Sequence, residues 1–138
     1  MTQEQIILIK KSWRIFRQID PHLVGDVFYE KLFAEQPGLR KMFKSSIDAQ
    51  SQKLIDMLSA IVMHLDDLDG LKDDIRSLGI RHESYGVKPE HYNAVGSALL
   101  WTLKQGLGND WNKDVEKAWS ICYGILAATM IQAAAQKV

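Results

Sequence analysis

LGIRHESYGV, residues 78–87, closes a helical pattern with a histidine, a tyrosine and a glycine. Leu71, Ile75, Leu78 and His82 recur at i, i+4, i+7 and i+11. That spacing puts His82 on the apolar, core-facing stripe of a helix running from about Leu71 to Tyr85. Gly86 ends it, a residue well suited to a left-handed C-cap. Most inward histidines are hydrogen-bonded core residues. The other reading is metal ligation. No HExxH, CxxC or paired-carboxylate pattern accompanies His82. A zinc or di-iron site built from protein ligands alone is therefore not expected. A cofactor bringing its own equatorial ligands asks only for one axial imidazole, an apolar slot and a helical cage.

Helical periodicity extends in both directions from this stretch. Thr2 and Gln5 have capping-box spacing, and Ile6, Ile9, Trp13 and Phe16 then share a face. Asp20-Pro21 is a break, with Pro21 suited to the first turn of a helix reaching about Glu35. That helix carries Val24, Val27, Phe28, Tyr29, Leu32 and Phe33, and Pro37-Gly38 ends it. The turn GLRKMF and the polar loop KSSID follow. A third helix is expected from about Asp48 to Leu65, with Gln50, Leu54, Met57, Leu58, Ile61 and Leu65 on one face. Asp66 to Gly70 interrupts it. Pro89 opens a helix bearing Tyr92, Val95, Leu99, Leu103 and Leu107. The last begins near Asp110, with Val115, Trp119, Cys122, Leu126 and Thr129 as its inner stripe. The pattern predicts an all-α protein of six to eight helices, one domain over residues 1–138.

Composition narrows the function. Of the 138 residues 46% are hydrophobic, enough for a substantial core. Lys plus Arg and Asp plus Glu each total 17, so the net charge is zero. That argues against nucleic acid or an anionic membrane as the main partner. One cysteine, Cys122, allows no internal disulfide, which fits a reducing compartment. The N-terminal MTQEQIILIKK is charged too early for a leader or a span. A cytoplasmic protein is expected. His22, His64 and His91 read as exposed or boundary residues; the sulfurs of Met57, Met63 and Met130 can ligate haem, but Met57, on the inner face, reads as a filler of core space. Trp101, Trp111, Trp119 and Tyr123 read as packing anchors.

In this order the elements resemble the globin family, above all bacterial single-domain globins and the globin domain of flavohaemoglobins. FYEKLF at 28–33 resembles the second helix with its distal tyrosine, Tyr29, and PGLRKMF at 37–43 the turn that ends in the haem-stacking phenylalanine, Phe43. AQSQKL at 49–54 is similar to the distal segment, with Gln50 in the distal position and Leu54 one turn on. RHESYGV at 81–87 resembles the proximal segment, with His82 as iron ligand. HYNAVG at 91–96 and AWSICYG at 118–124 match the two closing helices. The resemblance covers nearly the whole chain and implies a globin fold around haem b.

The resemblance implies that Phe43, Lys53, Leu54, Leu78, His82, Val87, Tyr92 and Val95 contact the cofactor. His82 supplies a neutral imidazole, its second ring N–H needing an acceptor, for which the Leu78 carbonyl one turn back is the nearest candidate. Lys53 is placed to pair with a propionate or to stay solvated. On the distal side stand Tyr29, Gln50 and Leu54. Oxygen on ferrous iron gains negative charge, and a Tyr29 O–H and a Gln50 amide N–H stabilise it. Each bond contributes on the order of 1 kcal/mol, so two slow oxygen loss roughly tenfold to a few hundredfold. Gly25, one turn before Tyr29, and Ser51 are small residues that let the two helices cross closely.

Three departures from the flavohaemoglobin pattern matter. The sequence ends at Val138 without a flavin and nicotinamide reductase, so a separate reductase is expected. Ala134 stands where those proteins carry a glutamate paired with the tyrosine matched by Tyr92, which weakens a strongly oxidative role. Gln50 replaces a distal histidine, so internal six-coordination is disfavoured, although a shifted His64 or Tyr29 can reach ferric iron. The leading expectation is reversible binding of oxygen, nitric oxide or carbon monoxide. Nitric oxide dioxygenation with a separate reductase, gas or redox sensing, and a haem-free helical interaction module are the alternatives.

Overall fold

A computed structural model describes residues 1–136. Among these, six α-helices are joined by turns and 3-10 segments, and no strand occurs. The helices are α1 (Gln3–Phe16), α2 (Pro21–Glu35), α3 (Ile47–Met63), α4 (Lys72–Ser84), α5 (Pro89–Leu107) and α6 (Lys113–Gln136). The all-α expectation is met.

Local chemistry sets most boundaries. The Thr2 hydroxyl accepts from the Gln5 N–H while the Gln5 side chain accepts from the Thr2 N–H, a complete capping box. Asp20 caps α2 ahead of Pro21, and Ser46 caps α3. Gly108, at φ +53°, turns the chain out of α5.

Three expected boundaries move. α3 ends at Met63 rather than Leu65, because His64 leaves helical geometry and Leu65–Leu71 winds as a 3-10 segment broken at Asp67. The GLRKMF turn is likewise a 3-10 segment, Pro37–Met42. α6 starts at Lys113, not near Asp110, because Gly108–Asp110 forms a 3-10 turn and the Asn112 side chain caps the new helix by accepting from the Val115 N–H. The inner stripe of α6 also shifts. Met130 and Ala133 are buried, whereas the Thr129 hydroxyl turns back to donate to the Ile125 carbonyl. Trp101 is 39% exposed and lies under the Lys31 ammonium, so it is no core anchor.

The core runs between α1, α5 and α6 and under the α2–α3 crossing. Trp13 packs against Phe16 and Trp119, and the Trp119 indole N–H donates to the buried Ser12 hydroxyl at 2.9 Å. By length and composition alone α6 can cross a membrane, with mean hydropathy 1.4. Its Val115, Trp119, Cys122, Leu126 and Met130 face is buried in the core.

Two close crossings position everything else. A Cβ on Gly25 would stand 1.6 Å from the Ser51 hydroxyl oxygen, so α2 and α3 touch through their small residues. A Cβ on Gly79 would stand 2.4 Å from the Met130 carbonyl oxygen, which brings α4 against the α6 backbone. An alanine at Gly79 must push backbone aside. We expect Gly79→Ala to cost about 2–4 kcal/mol by urea denaturation. Gly124, mid-helix on the exposed face of α6 with nothing within 4 Å of its Cβ position, is the converse. Gly124→Ala is expected to gain about 0.5–1 kcal/mol. Equal effects at the two glycines would contradict this packing.

Candidate functional site

His82 sits in the last turn of α4, held from two directions. α4 ends in a Schellman arrangement, in which the Gly86 N–H donates to the Glu83 carbonyl and the Val87 N–H to the His82 carbonyl. Gly86 takes φ +94°, as this cap demands. The His82 backbone is thereby fixed. Its ring is fixed separately, with Nδ1 2.8 Å from the Leu78 carbonyl oxygen. A carbonyl only accepts, so Nδ1 carries the proton and Nε2 keeps its lone pair. Among the described residues nothing bonds to Nε2. Burial holds the imidazole below its ordinary pKa, with the Arg81 charge adding to the effect and the bond to Leu78 opposing it. His82 is therefore neutral at pH 7, as a metal-binding imidazole must be.

Phe43, Leu54, Leu78, Val87 and Val95 are half-buried apolar side chains, each packed against the core on one side. Tyr92 is buried in the second turn of α5, its ring centroid 6.5 Å from that of His82, and the Tyr123 hydroxyl donates to its carbonyl at 2.6 Å. Lys53 is exposed, with no ion-pair partner among the described residues.

Tyr29 is 5% exposed on the inner face of α2, where aromatic rings surround it. Phe28 and Phe43 meet it edge-on at 4.9 and 5.3 Å, and Phe33 stacks on it at 5.8 Å. Burial pushes its phenol up to about 12. The group remains an O–H donor across the physiological range. Gln50 lies half-buried one helical turn into α3, next to the Gly25–Ser51 crossing. Among the described residues neither the Tyr29 hydroxyl nor the Gln50 amide has a hydrogen-bond partner. The other histidines are engaged locally: His22 with Asp48, His64 with the Ala60 carbonyl at the exposed end of α3, and His91 with the Lys88 N–H. His64 is thus turned onto its own helix.

The structure brings in residues that sequence reasoning passed over. Met42, beside Phe43, reaches to within 4.0 Å of the Cβ position of Gly86 and so spans from the Pro37–Met42 turn to the end of α4. Phe33 closes the aromatic layer with Tyr29 and Phe43. Its place four residues after Tyr29 was the available signal.

The donor set fits one kind of group. A neutral imidazole with one free lone pair, half-buried apolar side chains and two unpartnered donors suit a planar apolar cofactor with a metal at its centre, namely haem. Comparison with known proteins agrees. The family model described as Globin matches residues 26–130. A flavohemoprotein of Vibrio cholerae is 31% identical over 134 residues, covering 95% of this chain and 34% of that protein. The chain thus spans about a third of the length of such relatives. A neuroglobin of Tetraodon nigroviridis is 30% identical, covering 89% of this chain and 86% of its own. The solved structure of a bacterial globin from Campylobacter jejuni superposes with a TM-score of 0.83 at 27% identity, covering 98% of this chain and 97% of that one. The chain belongs to the globin family.

The depressed His82 pKa has a measurable consequence. As the pH falls below about 6.5 the unfolded chain takes up the proton before the fold does, so the haem-free fold loses stability toward acid. Glutamine at position 82 removes that loss. Urea midpoints of wild type and His82→Gln, compared from pH 8 to 5, should shift in the variant's favour at the acid end. Parallel curves would mean that burial does not disfavour the imidazolium.

Proposed function

We propose that this protein binds haem b through His82 and holds diatomic gases on the opposite side, oxygen foremost. The observation that carries the reading is a free His82 Nε2 together with two donors, Tyr29 and Gln50, that bond to none of the described residues. When bound, haem would supply an iron able to take up the His82 nitrogen and a gas molecule. The chain does the rest. His82 offers its lone pair while the Leu78 carbonyl keeps the ring from turning. Phe43 would hold the cofactor by its aromatic ring, Leu54, Leu78, Val87, Tyr92 and Val95 would exclude water from it, and the exposed Lys53 would pair with a carboxylate of the cofactor. The Tyr29 O–H and the Gln50 N–H are aimed at a polarised ligand, and desolvation strengthens both bonds. Carbon monoxide polarises less than oxygen and gains less from them. The chemistry needs no membrane or nucleic acid, and we place it in the reducing cytoplasm.

The test is the oxygen dissociation rate. Tyr29→Phe should release oxygen roughly tenfold faster or more, and Gln50→Ala less than that, with carbon monoxide release changed far less in both. Equal acceleration for the two gases would show that Tyr29 acts by packing rather than by donating.

A second reading, nitric oxide dioxygenation, draws on the likeness to flavohemoproteins. Conversion of nitric oxide and oxygen to nitrate takes up one electron per turnover, so sustained activity calls for a reductase as partner. With an added reductase, many nitrates per haem would favour this reading. One turnover followed by a stall would favour simple binding.

A further inference from the structure

α2 is apolar on two sides. Val24, Gly25, Phe28, Tyr29 and Leu32 are buried in the core. On the outer side Leu23 is 56% exposed, and Val27 and Ala34 continue its stripe at i+4 and i+11. A helix with apolar residues all round is normally covered on every side, whereas this outer side lies at the surface. Two clefts flank it and share Glu30 and Ala34. One, of about 550 Å³, is walled by Phe33, Arg40 and Ile47; the other, of about 250 Å³, by Val27, Lys31 and Trp101. Each holds an aromatic ring under a cation. The Arg40 guanidinium lies 5.7 Å above the Phe33 ring, and the Lys31 ammonium 5.0 Å above that of Trp101. Lys31 also pairs with Glu35. Asp26, Glu30 and Arg40 are exposed and form no ion pair among the described residues.

We propose that this face is the contact surface of a symmetric dimer, and that its occupant is a second copy of the same chain. The charges decide the occupant. In a two-fold contact a patch meets itself, so it must carry both signs in complementary places. Asp26 lies in the first half of α2, and Arg40 stands over Phe33 in the second half. An antiparallel crossing of two α2 helices therefore brings Asp26 of each copy toward Arg40 of the other, and the pair forms twice. A partner of uniformly acidic or basic surface would meet part of this face with its own sign. Exposed tryptophan and arginine are the side chains that anchor protein contacts, and Leu23 and Val27 add apolar area beside them. A helix of 15 residues is about 22 Å long. That footprint suits a dimer that dissociates at micromolar concentration rather than a permanent one. Neither His82 nor Gln50 belongs to this surface, so the proposal stands apart from the gas-binding reading.

Sedimentation equilibrium of the full haem-loaded chain, from low micromolar to submillimolar concentration, tests this. The wild type should pass from monomer to dimer across that range. Asp26→Arg and Arg40→Asp should each raise the dissociation constant roughly tenfold or more. The double variant Asp26→Arg with Arg40→Asp swaps the signs and should recover most of the loss. Trp101→Ala should weaken the dimer roughly tenfold. Ile125→Arg, at an exposed apolar residue of α6, should leave it unchanged. Asp26, Arg40, Trp101 and Ile125 are all exposed, so these variants keep the core intact. A chain monomeric throughout, a dimer indifferent to the two charges, a double variant no tighter than the singles, or a dimer broken at Ile125 would overturn the proposal. A chain that takes up no haem would instead count against the gas-binding reading, and the same series on the haem-free protein would still decide the dimer.

Discussion

The hydrogen bond from His82 Nδ1 to the Leu78 carbonyl is the constraint on which the site depends. Alone it is worth on the order of 1 kcal/mol. Its importance lies in choosing the tautomer: with the proton on Nδ1, the Nε2 lone pair points away from α4. A carbonyl one turn back on the same helix supplies the acceptor wherever a histidine faces inward, so the sequence needs no second residue for it. What the chain adds is rigidity. The Gly86 cap takes the His82 carbonyl as acceptor for the Val87 N–H, so backbone and ring are each held by their own bond.

The opposite side is built by a different device. Tyr29 and Gln50 sit on helices that can meet only where both backbones come close, and Gly25 against Ser51 makes that approach possible. Gly79 against Met130 does the same for α4 and α6 on the proximal side. Small residues thus set the spacing between the two walls, and large aromatic ones fill what remains: Phe28, Phe33 and Phe43 around Tyr29, and Tyr92 beside His82.

Much of this was legible in the sequence, for definable reasons. The Thr2–Gln5 cap, Pro21, Pro89 and Gly86 are local signals, and the structure has a boundary at each. The i, i+4, i+7, i+11 stripe ending at His82 is a periodic signal on an amphipathic helix. Signals failed where helical turns compete. Nothing local separates an α-turn from the 3-10 turns at Pro37–Met42 and Leu65–Leu71. On α6 both sides are apolar or small, so Thr129 and Met130 could not be ranked by pattern, and packing against Gly79 decided for Met130. Trp101 went wrong because size suggests burial, while Lys31, on the neighbouring α2, offers an exposed tryptophan a partner instead. Phe33 was one of several apolar residues on an α2 that is apolar on more than one face, and its contact with Phe43 is a tertiary fact.

The relatives in sequence and the neighbour in structure establish the family, and within it the chemistry turns on the two axial sides. His82 is an imidazole already neutral and oriented; the side we propose for the gas carries Tyr29 and Gln50, and His64 is bonded to its own helix at Ala60. The most direct test is the visible absorption spectrum of the haem-loaded protein, reduced and free of gas. The account predicts five-coordinate, high-spin iron that is lost when His82 is replaced by glycine and restored by added imidazole. A six-coordinate, low-spin spectrum, or one indifferent to His82, would contradict it.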